Sequence, residues 1–283
     1  MKDIKTLIPD IHKVFEEPHE FAEDRLEKFG VLLAKTISEK INKSDEKPTL
    51  RMSNLGTSCD RQLWYKINTP HMAEKLPPET RVKFLFGDIL EQLLLFLAEE
   101  AGHTVQGAQD TVELNGVKGH RDAIIDGTLV DCKSASSYSF KKFKEHLTYS
   151  LDSFGYIDQL QAYLQASEND PLLTNKEEAG FLVIDKTLGH ITLDMHSKSS
   201  VDYNTVVEMK REVINSKELP ERGYEDEPEG ASGNMKLGTV CSYCLFKKQC
   251  WPGLRTFLYS KGPEFLSVVM KTPKVQEVET PGP

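Results

Sequence analysis

The stretch GVKGHRDAIIDGTLVDCKSAS, residues 116–136, carries two aspartates and a lysine at spacings that can do chemistry. Asp126-Gly127 is a strong signal for a two-residue type I′ turn. With the turn there, Ile125 opposes Thr128, Ile124 opposes Leu129, Ala123 opposes Val130 and Asp122 opposes Asp131. Directly opposed residues have Cβ atoms about 4.5–5.5 Å apart. Lys133 lies two residues beyond Asp131 and so points to the same face of the strand. Two carboxylates this close repel unless a cation intervenes or one takes up a proton. A divalent metal resolves the conflict, and an oxygen-rich site suits Mg²⁺ or Mn²⁺. A lysine beside such a site can contact an attacking water and the charge developing on a phosphorane. The plain alternative is a surface hairpin whose acids face solvent, screened by Lys133.

Cysteines make a second constellation. Cys241, Cys244 and Cys250 form C-x2-C-x5-C, and Cys59 in TSCDRQLWY is the remaining candidate far upstream. Thiolates near one another select zinc or an iron–sulfur cluster. Zinc sites more often come as two compact pairs, which makes Zn²⁺ the lesser option; buried free cysteines are the third. The Cys132 side chain should point to the strand face opposite Asp131 and Lys133, so its thiol is not counted as a ligand. In SYSFKKFKEHLTYS, Lys141, Lys142 and Lys144 alternate with Tyr138, Phe140 and Phe143. Such a patch can contact phosphates and stack on bases, or it is an ordinary solvated face. His120 reads as a strand residue.

These residues need elements to position them. Residues 20–42 read as a helix, with Phe21, Leu26, Phe29, Leu33, Ile37 and Ile41 forming one apolar stripe. The polar break NKSDEKP follows. Ser58 is placed to cap a short helix over CDRQLWYKI, and Thr80 a longer one, RVKFLFGDILEQLLLFLAEEAG, which Gly102 ends. Strand-like segments run from about His103 to Lys133. YIDQLQAYLQA reads as a helix that puts Gln159 and Tyr163 on one face. GFLVIDK and HITLDMH read as a hairpin about a Leu-Gly turn, and Ser200 as the cap of a helix ending at Asn215. ELPERGYEDEPEGASGN reads as an exposed acidic connector, and TPKVQEVETPGP as a frayed tail.

Composition bounds the rest. With 283 residues, 39% of them hydrophobic, the chain can bury one large core with an extra lobe. No run approaches about 18 apolar residues, and the start lacks a signal-peptide core, so an intracellular protein with no membrane partner is expected. A net charge of −9 counts against a general nucleic-acid coat protein. It leaves room for a nuclease, whose metal site itself demands carboxylates.

At these residues the chain resembles a known family. GHRD followed by DCK is similar to motifs II and III of PD-(D/E)XK nucleases of the RecB and CRISPR-associated exonuclease type. The resemblance implies that Asp122 and Asp131 bind the metal, with the Cys132 backbone carbonyl joining the shell and Lys133 assisting the water. FGDILEQLLL resembles the first motif, which implies Glu91 as a further metal ligand where many relatives carry His. Gln159 and Tyr163 resemble the QxxxY motif, which positions DNA and the catalytic groups. One cysteine before these motifs and three after them resemble the relatives that enclose a [4Fe–4S] cluster, which implies Cys59, Cys241, Cys244 and Cys250 as its ligands.

The implied fold is α/β, a restriction-endonuclease-like core with a helical N-terminal part and an iron–sulfur C-terminal lobe. The expected organisation is a helical region over 1–57, the nuclease core over 58–216, the connector over 217–240, the cysteine lobe over 241–262 and a flexible tail over 263–283. The implied activity is metal-dependent exonucleolytic hydrolysis of DNA, from single strands or duplex ends, with cytoplasmic localisation, in the host cytoplasm if the chain is viral. The implied partners belong to recombination, strand annealing or CRISPR adaptation, and the chain falls nearest a small phage-like or CRISPR-like exonuclease. Several relatives form rings, which leaves room for a homo-oligomer. The rival readings are an inactive nuclease-fold DNA-binding protein and an endonuclease.

Overall fold

Apolar residues on both sides of two neighbouring strands build a sheet with two dry faces. The computed structural model describes residues 2–42 and 48–280. The first helices are α1 (Leu7–Glu16), α2 (Glu23–Ile41), α3 (Asp60–Asn68) and α4 (Pro78–Glu100). Strands β1 (Val105–Gln106), β2 (Thr111–Leu114), β3 (Val117–His120), β4 (Ala123–Ile125) and β5 (Thr128–Ala135) follow. Then come α5 (Ser137–Lys144), α6 (Tyr156–Ala166), β6 (Asn175–Asp185), β7 (Ile191–Ser197) and α7 (Tyr203–Asn215). The central sheet has the order β1-β4-β5-β6-β7, with β5 and β6 parallel and the other pairs antiparallel.

Side-chain alternation sorts the two faces. Ile124, Leu129, Ala179, Phe181 and Val183 pack with residues of α5, α6 and α7. Ala123, Ile125, Val130, Leu182 and Ile184 pack with α1 and α4. The result is a mixed α/β fold of three layers. The expected helical N-terminal region is therefore part of the core, because Leu7 and Ile11 of α1 are fully buried against the second face. Helix α1 lies within the expected helical region but ahead of 20–42, the one helix read there. α2 keeps its expected stripe only in part: Phe29 stacks on Phe96 at 4.5 Å, while Leu26 and Ile41 are exposed. Most of the polar break after it lies outside the described residues.

Three caps differ from expectation. Cys59, not Ser58, is the N-cap of α3; Pro77 precedes α4 in place of Thr80; and the Asp202 carboxylate, not Ser200, caps α7 by accepting from Asn204 N–H. Asp202 wins because its charge suits the positive end of a helix.

The C-terminal part corrects the expected organisation more deeply. A second five-stranded sheet has the order β12-β10-β11-β9-β8. Its strands are β8 (Asp226–Glu229), β9 (Asn234–Leu237), β10 (Arg255–Tyr259), β11 (Gly262–Val268) and β12 (Glu277–Val278), with α8 (Thr239–Ser242) and α9 (Lys247–Cys250) between β9 and β10. The acidic connector thus supplies an edge strand and its neighbour. Its charges find partners: the Tyr259 hydroxyl donates to Glu229 at 2.9 Å, and the Ser267 hydroxyl to Asp226 at 2.5 Å. The expected tail holds β11 and β12, fixed by a two-pronged Arg255–Glu277 pair at 2.8 and 2.7 Å; residues 281–283 lie outside the described residues.

Candidate active site and cysteine pocket

The hairpin forms at Asp126-Gly127, where φ is +48° and +76°. Three pairs match the expected register: Ile125 with Thr128, Ile124 with Leu129 and Ala123 with Val130. The fourth does not join the ladder. β4 stops at Ala123, and Asp122 Oδ2 instead accepts the Cys132 N–H at 2.7 Å. The N–H and C=O of one strand residue point to the same side. The Cys132 carbonyl therefore also faces the Asp122 side, while its thiol packs among the core residues of the opposite face.

Three elements converge on Asp122. β5 supplies Asp131 and Lys133, whose carboxylate and ammonium form an ion pair. α6 supplies Gln159, which donates to Asp131 Oδ1 at 3.4 Å. It also supplies the buried Tyr163, whose hydroxyl meets the His120 backbone N–H. That reach needs Gly119, where a Cβ would sit 2.4 Å from the Tyr163 hydroxyl oxygen. α4 supplies Glu91, held by Gln109 Nε2 at 2.6 Å.

The electrostatics are those of crowded, desolvated acids. Burial raises the Asp122 carboxyl well above the carboxylate range, and the Asp131 and Glu91 charges raise it further. Burial likewise pushes Glu91 up to about 7, with Gln109 opposing and Asp131 adding to the rise. Burial disfavours the Lys133 charge, but Asp131 and Asp122 overcome it and hold its pKa above the ordinary value. Burial, then the charges of Asp131 and Asp122, keep the Tyr163 phenol protonated.

A divalent cation is the chemical species that relieves three acids in one desolvated place, and the donor set is all oxygen, so the residues fit Mg²⁺ or Mn²⁺. No choice of one oxygen from each of Glu91, Asp122 and Asp131 puts all three within 4.8 Å of one another. Gathering all three on one ion takes a side-chain adjustment, for which the stem of Glu91 has rotatable bonds.

Sequence reasoning missed two residues here. The Tyr156 ring lies 5.0 Å from Lys133 Nζ, over the face that attracts a cation. It stands three positions ahead of Gln159 on the same helix face, a spacing that could have found it. Gln109, the partner of Glu91, sits in a loop and left no periodic signal. The α5 lysines have their contacts elsewhere: Lys141 pairs with Glu145 at 3.6 Å, and Lys142 donates to the Leu151 carbonyl at 3.0 Å and lies over Tyr138. Lys144 is exposed at the end of α5.

Cys59, Cys241, Cys244 and Cys250 line one pocket, with Trp251 and Lys247 among its walls. Burial and the neighbouring sulfurs raise Cys241 to about 11 and Cys244 to about 12. Burial raises Cys250 as well, with Arg61 and then Arg222 opposing. Sulfurs crowded in a desolvated pocket beside arginines fit a thiolate-bound centre, because the thiolate form is costly there without one. No three of the cysteine sulfurs lie within 4.8 Å of one another. Tetrahedral zinc at about 2.3 Å from each sulfur needs closer spacing.

Among the described residues no helix is long and apolar enough to cross a membrane. No family model matches the chain, and no curated protein matches it. Among solved structures it is similar to the crystal structure of SSO0001, with a TM-score of 0.42 and 20% identity, covering 78% of this chain and 95% of that one.

Proposed function

We propose that this chain is a metal-dependent DNA exonuclease of the PD-(D/E)XK superfamily, RecB-like branch, with a [4Fe–4S] cluster on Cys59, Cys241, Cys244 and Cys250. The observation that carries the reading is the convergence of Glu91, Asp122, Asp131, Lys133, Gln159 and Tyr163, drawn from separate stretches of chain, around one desolvated point.

In this reading Glu91, Asp122, Asp131 and the Cys132 carbonyl hold Mg²⁺ or Mn²⁺. The ion supplies Lewis acidity and charge neutralisation at the scissile phosphate. Lys133 stays protonated, so it acts as a donor and not as a base. Its ammonium, kept in place by Asp131 and the Tyr156 ring, orients the attacking water and faces the charge developing on phosphorus. Gln159 fixes Asp131, and Tyr163 stands as a neutral donor beside the acids. No base-reading device is evident in this arrangement, which suits a backbone-directed cut with little sequence preference. The exposed Phe154 and Tyr243 rings, 5.7 Å apart, continue from Tyr156 as surfaces on which bases can stack.

The test is cleavage of end-labelled linear and circular single-stranded DNA with Mg²⁺ or Mn²⁺, wild type beside Asp131→Ala, on protein purified without oxygen. Degradation of the linear substrate alone, lost in the variant, is the expected result. Cutting of the circle would replace exonuclease by endonuclease. DNA binding without cleavage by either protein would make the chain a binding protein.

A further inference from the structure

On the same sheet face as the acids, but two strands away, three more side chains come together. Asp131, Phe181 and Asp194 stand in one row across β5, β6 and β7. Neighbouring strands lie about 4.8 Å apart. Asp194 is therefore about 10 Å from Asp131, too far to share a pair of catalytic ions spaced about 3.5–4 Å.

Asp194 is buried, and nitrogens surround its carboxylate. Oδ1 faces His146 Nδ1 at 2.8 Å; Oδ2 faces His196 Nε2 at 3.0 Å and accepts the Leu147 N–H at 2.9 Å. The two imidazoles stack with centroids 4.6 Å apart. Among the described residues this is the one group of at least three histidine, cysteine or acidic side chains whose ligand atoms all lie within 4.8 Å of one another.

Two features give the group the form of a binding site. His196 is fixed on β7 against the Phe181 ring at 5.2 Å, and the Leu147 N–H holds Asp194 Oδ2, as partners of metal-binding groups do. His146 sits just past the end of α5 with φ +72°, a left-handed position where glycine is usual. That conformation brings its ring onto Asp194 and leaves the imidazole side open to solvent, with 59% of the side chain exposed. An ion can enter there, and a water can complete its shell.

We propose that His146, Asp194 and His196 form a second metal site, for a borderline transition ion such as Zn²⁺, that ties the α5–α6 connection to the sheet. Two imidazoles and one carboxylate match zinc in donor type, with a water as the fourth ligand. The role is structural. The connection held at His146 runs on to Asp152, whose carboxylate accepts the Phe154 and Ile157 N–H groups at 3.1 and 2.8 Å and so fixes the start of α6. The site stands on its own residues and does not depend on the nuclease reading.

His146→Gly tests this in the full chain, because it removes one ligand and relaxes the left-handed backbone. Zinc content after equilibrium dialysis against micromolar Zn²⁺ should be one ion per chain lower in the variant; the cysteine pocket is common to both proteins and cancels. In chelator the variant should unfold at the same or a higher temperature than wild type. With Zn²⁺ the order should reverse, since an ion present at a hundred times its dissociation constant favours the folded state about a hundredfold. His196→Gln should lose the same equivalent. Equal zinc content in wild type and His146→Gly, or a zinc-induced rise in melting temperature that both share, would overturn the proposal and leave two imidazoles hydrogen-bonded to one carboxylate.

Discussion

Glu91→Gln should stabilise the chelated protein above neutral pH. Burial deprives the Glu91 carboxylate of its hydration and the Asp131 charge adds to the cost, so its pKa is pushed up from 4.5 to about 7. The folded state therefore holds this proton more tightly than the unfolded chain. The resulting penalty is absent below the unfolded pKa, grows as pH rises towards about 7, and is complete above it. A rise of that size corresponds to about 3 kcal/mol. Glutamine keeps the shape and a hydrogen bond to Gln109 but carries no charge. Urea unfolding followed by circular dichroism, in chelator at about pH 5 and about pH 8, reads the effect. Between those conditions wild type should lose about 2.5 kcal/mol relative to the variant, since part of the penalty is already present at about pH 5; groups common to both proteins cancel. Adding Mg²⁺ at the higher pH should restore wild type more than the variant. Parallel pH profiles for the two proteins would refute the argument that this carboxyl is desolvated among like charges.

Three other outcomes follow from the same geometry. Lys133→Ala should lower cleavage about 10²–10³-fold, the scale of losing one donor to developing charge, with circular dichroism unchanged; retained activity would remove Lys133 from the mechanism. Cys244→Ala should reduce soluble yield and brown colour, and a colourless protein as stable as wild type would argue against a structural cluster. Gly127→Ala should destabilise the fold by at least the ~1–2 kcal/mol that a left-handed L-residue costs, read as a lower melting temperature. A new Cβ there would also stand 1.9 Å from Thr174 Oγ1; an unchanged melting curve would contradict the turn geometry.

The parts legible in the sequence were those set by short-range rules. Asp-Gly fixes a hairpin because few residue pairs accept two positive φ values, and strand alternation then puts Asp131 and Lys133 on one face and the Cys132 thiol on the other. The helix from Tyr156 to Ala166 follows from its apolar spacing. What was not legible depends on partners far along the chain. Asp122 leaves the ladder because a side-chain oxygen takes the Cys132 N–H, and Gln109 holds Glu91 from a loop. The segment from 226 to 237 looks like a connector by composition, since acids, a proline and a glycine crowd its first half. It becomes two strands because β11 offers β9 an edge to pair with. His146 sits in a lysine-rich stretch, and Asp194 and His196 read as alternating strand residues. Only the packing of the α5 end against β7 joins them.

The cysteine pocket and the acidic group are linked through solid structure, which gives a closed pocket consequences beyond its own lobe. Cys59 caps α3, and α3 is bound to α7 at several points. Asn68 Nδ2 donates to the Ile214 carbonyl at 3.0 Å, Trp64 Nε1 to the Ser216 carbonyl at 2.9 Å, and Lys210 meets Asp60 at 2.9 Å. α7 in turn reaches α6 where the Tyr203 hydroxyl donates to Asp158 at 2.8 Å. Asp158 precedes Gln159, which holds Asp131. From the other side Tyr243, between Cys241 and Cys244, meets Phe154, which meets Tyr156 beside Lys133. Two routes therefore run from the sulfurs to α6. A cluster closing the long loop between Cys59 and Cys241, as proposed, would remove chain entropy that otherwise favours opening of this assembly. A broken pocket should loosen α6 before it disturbs β5, whose position the central sheet fixes on both sides.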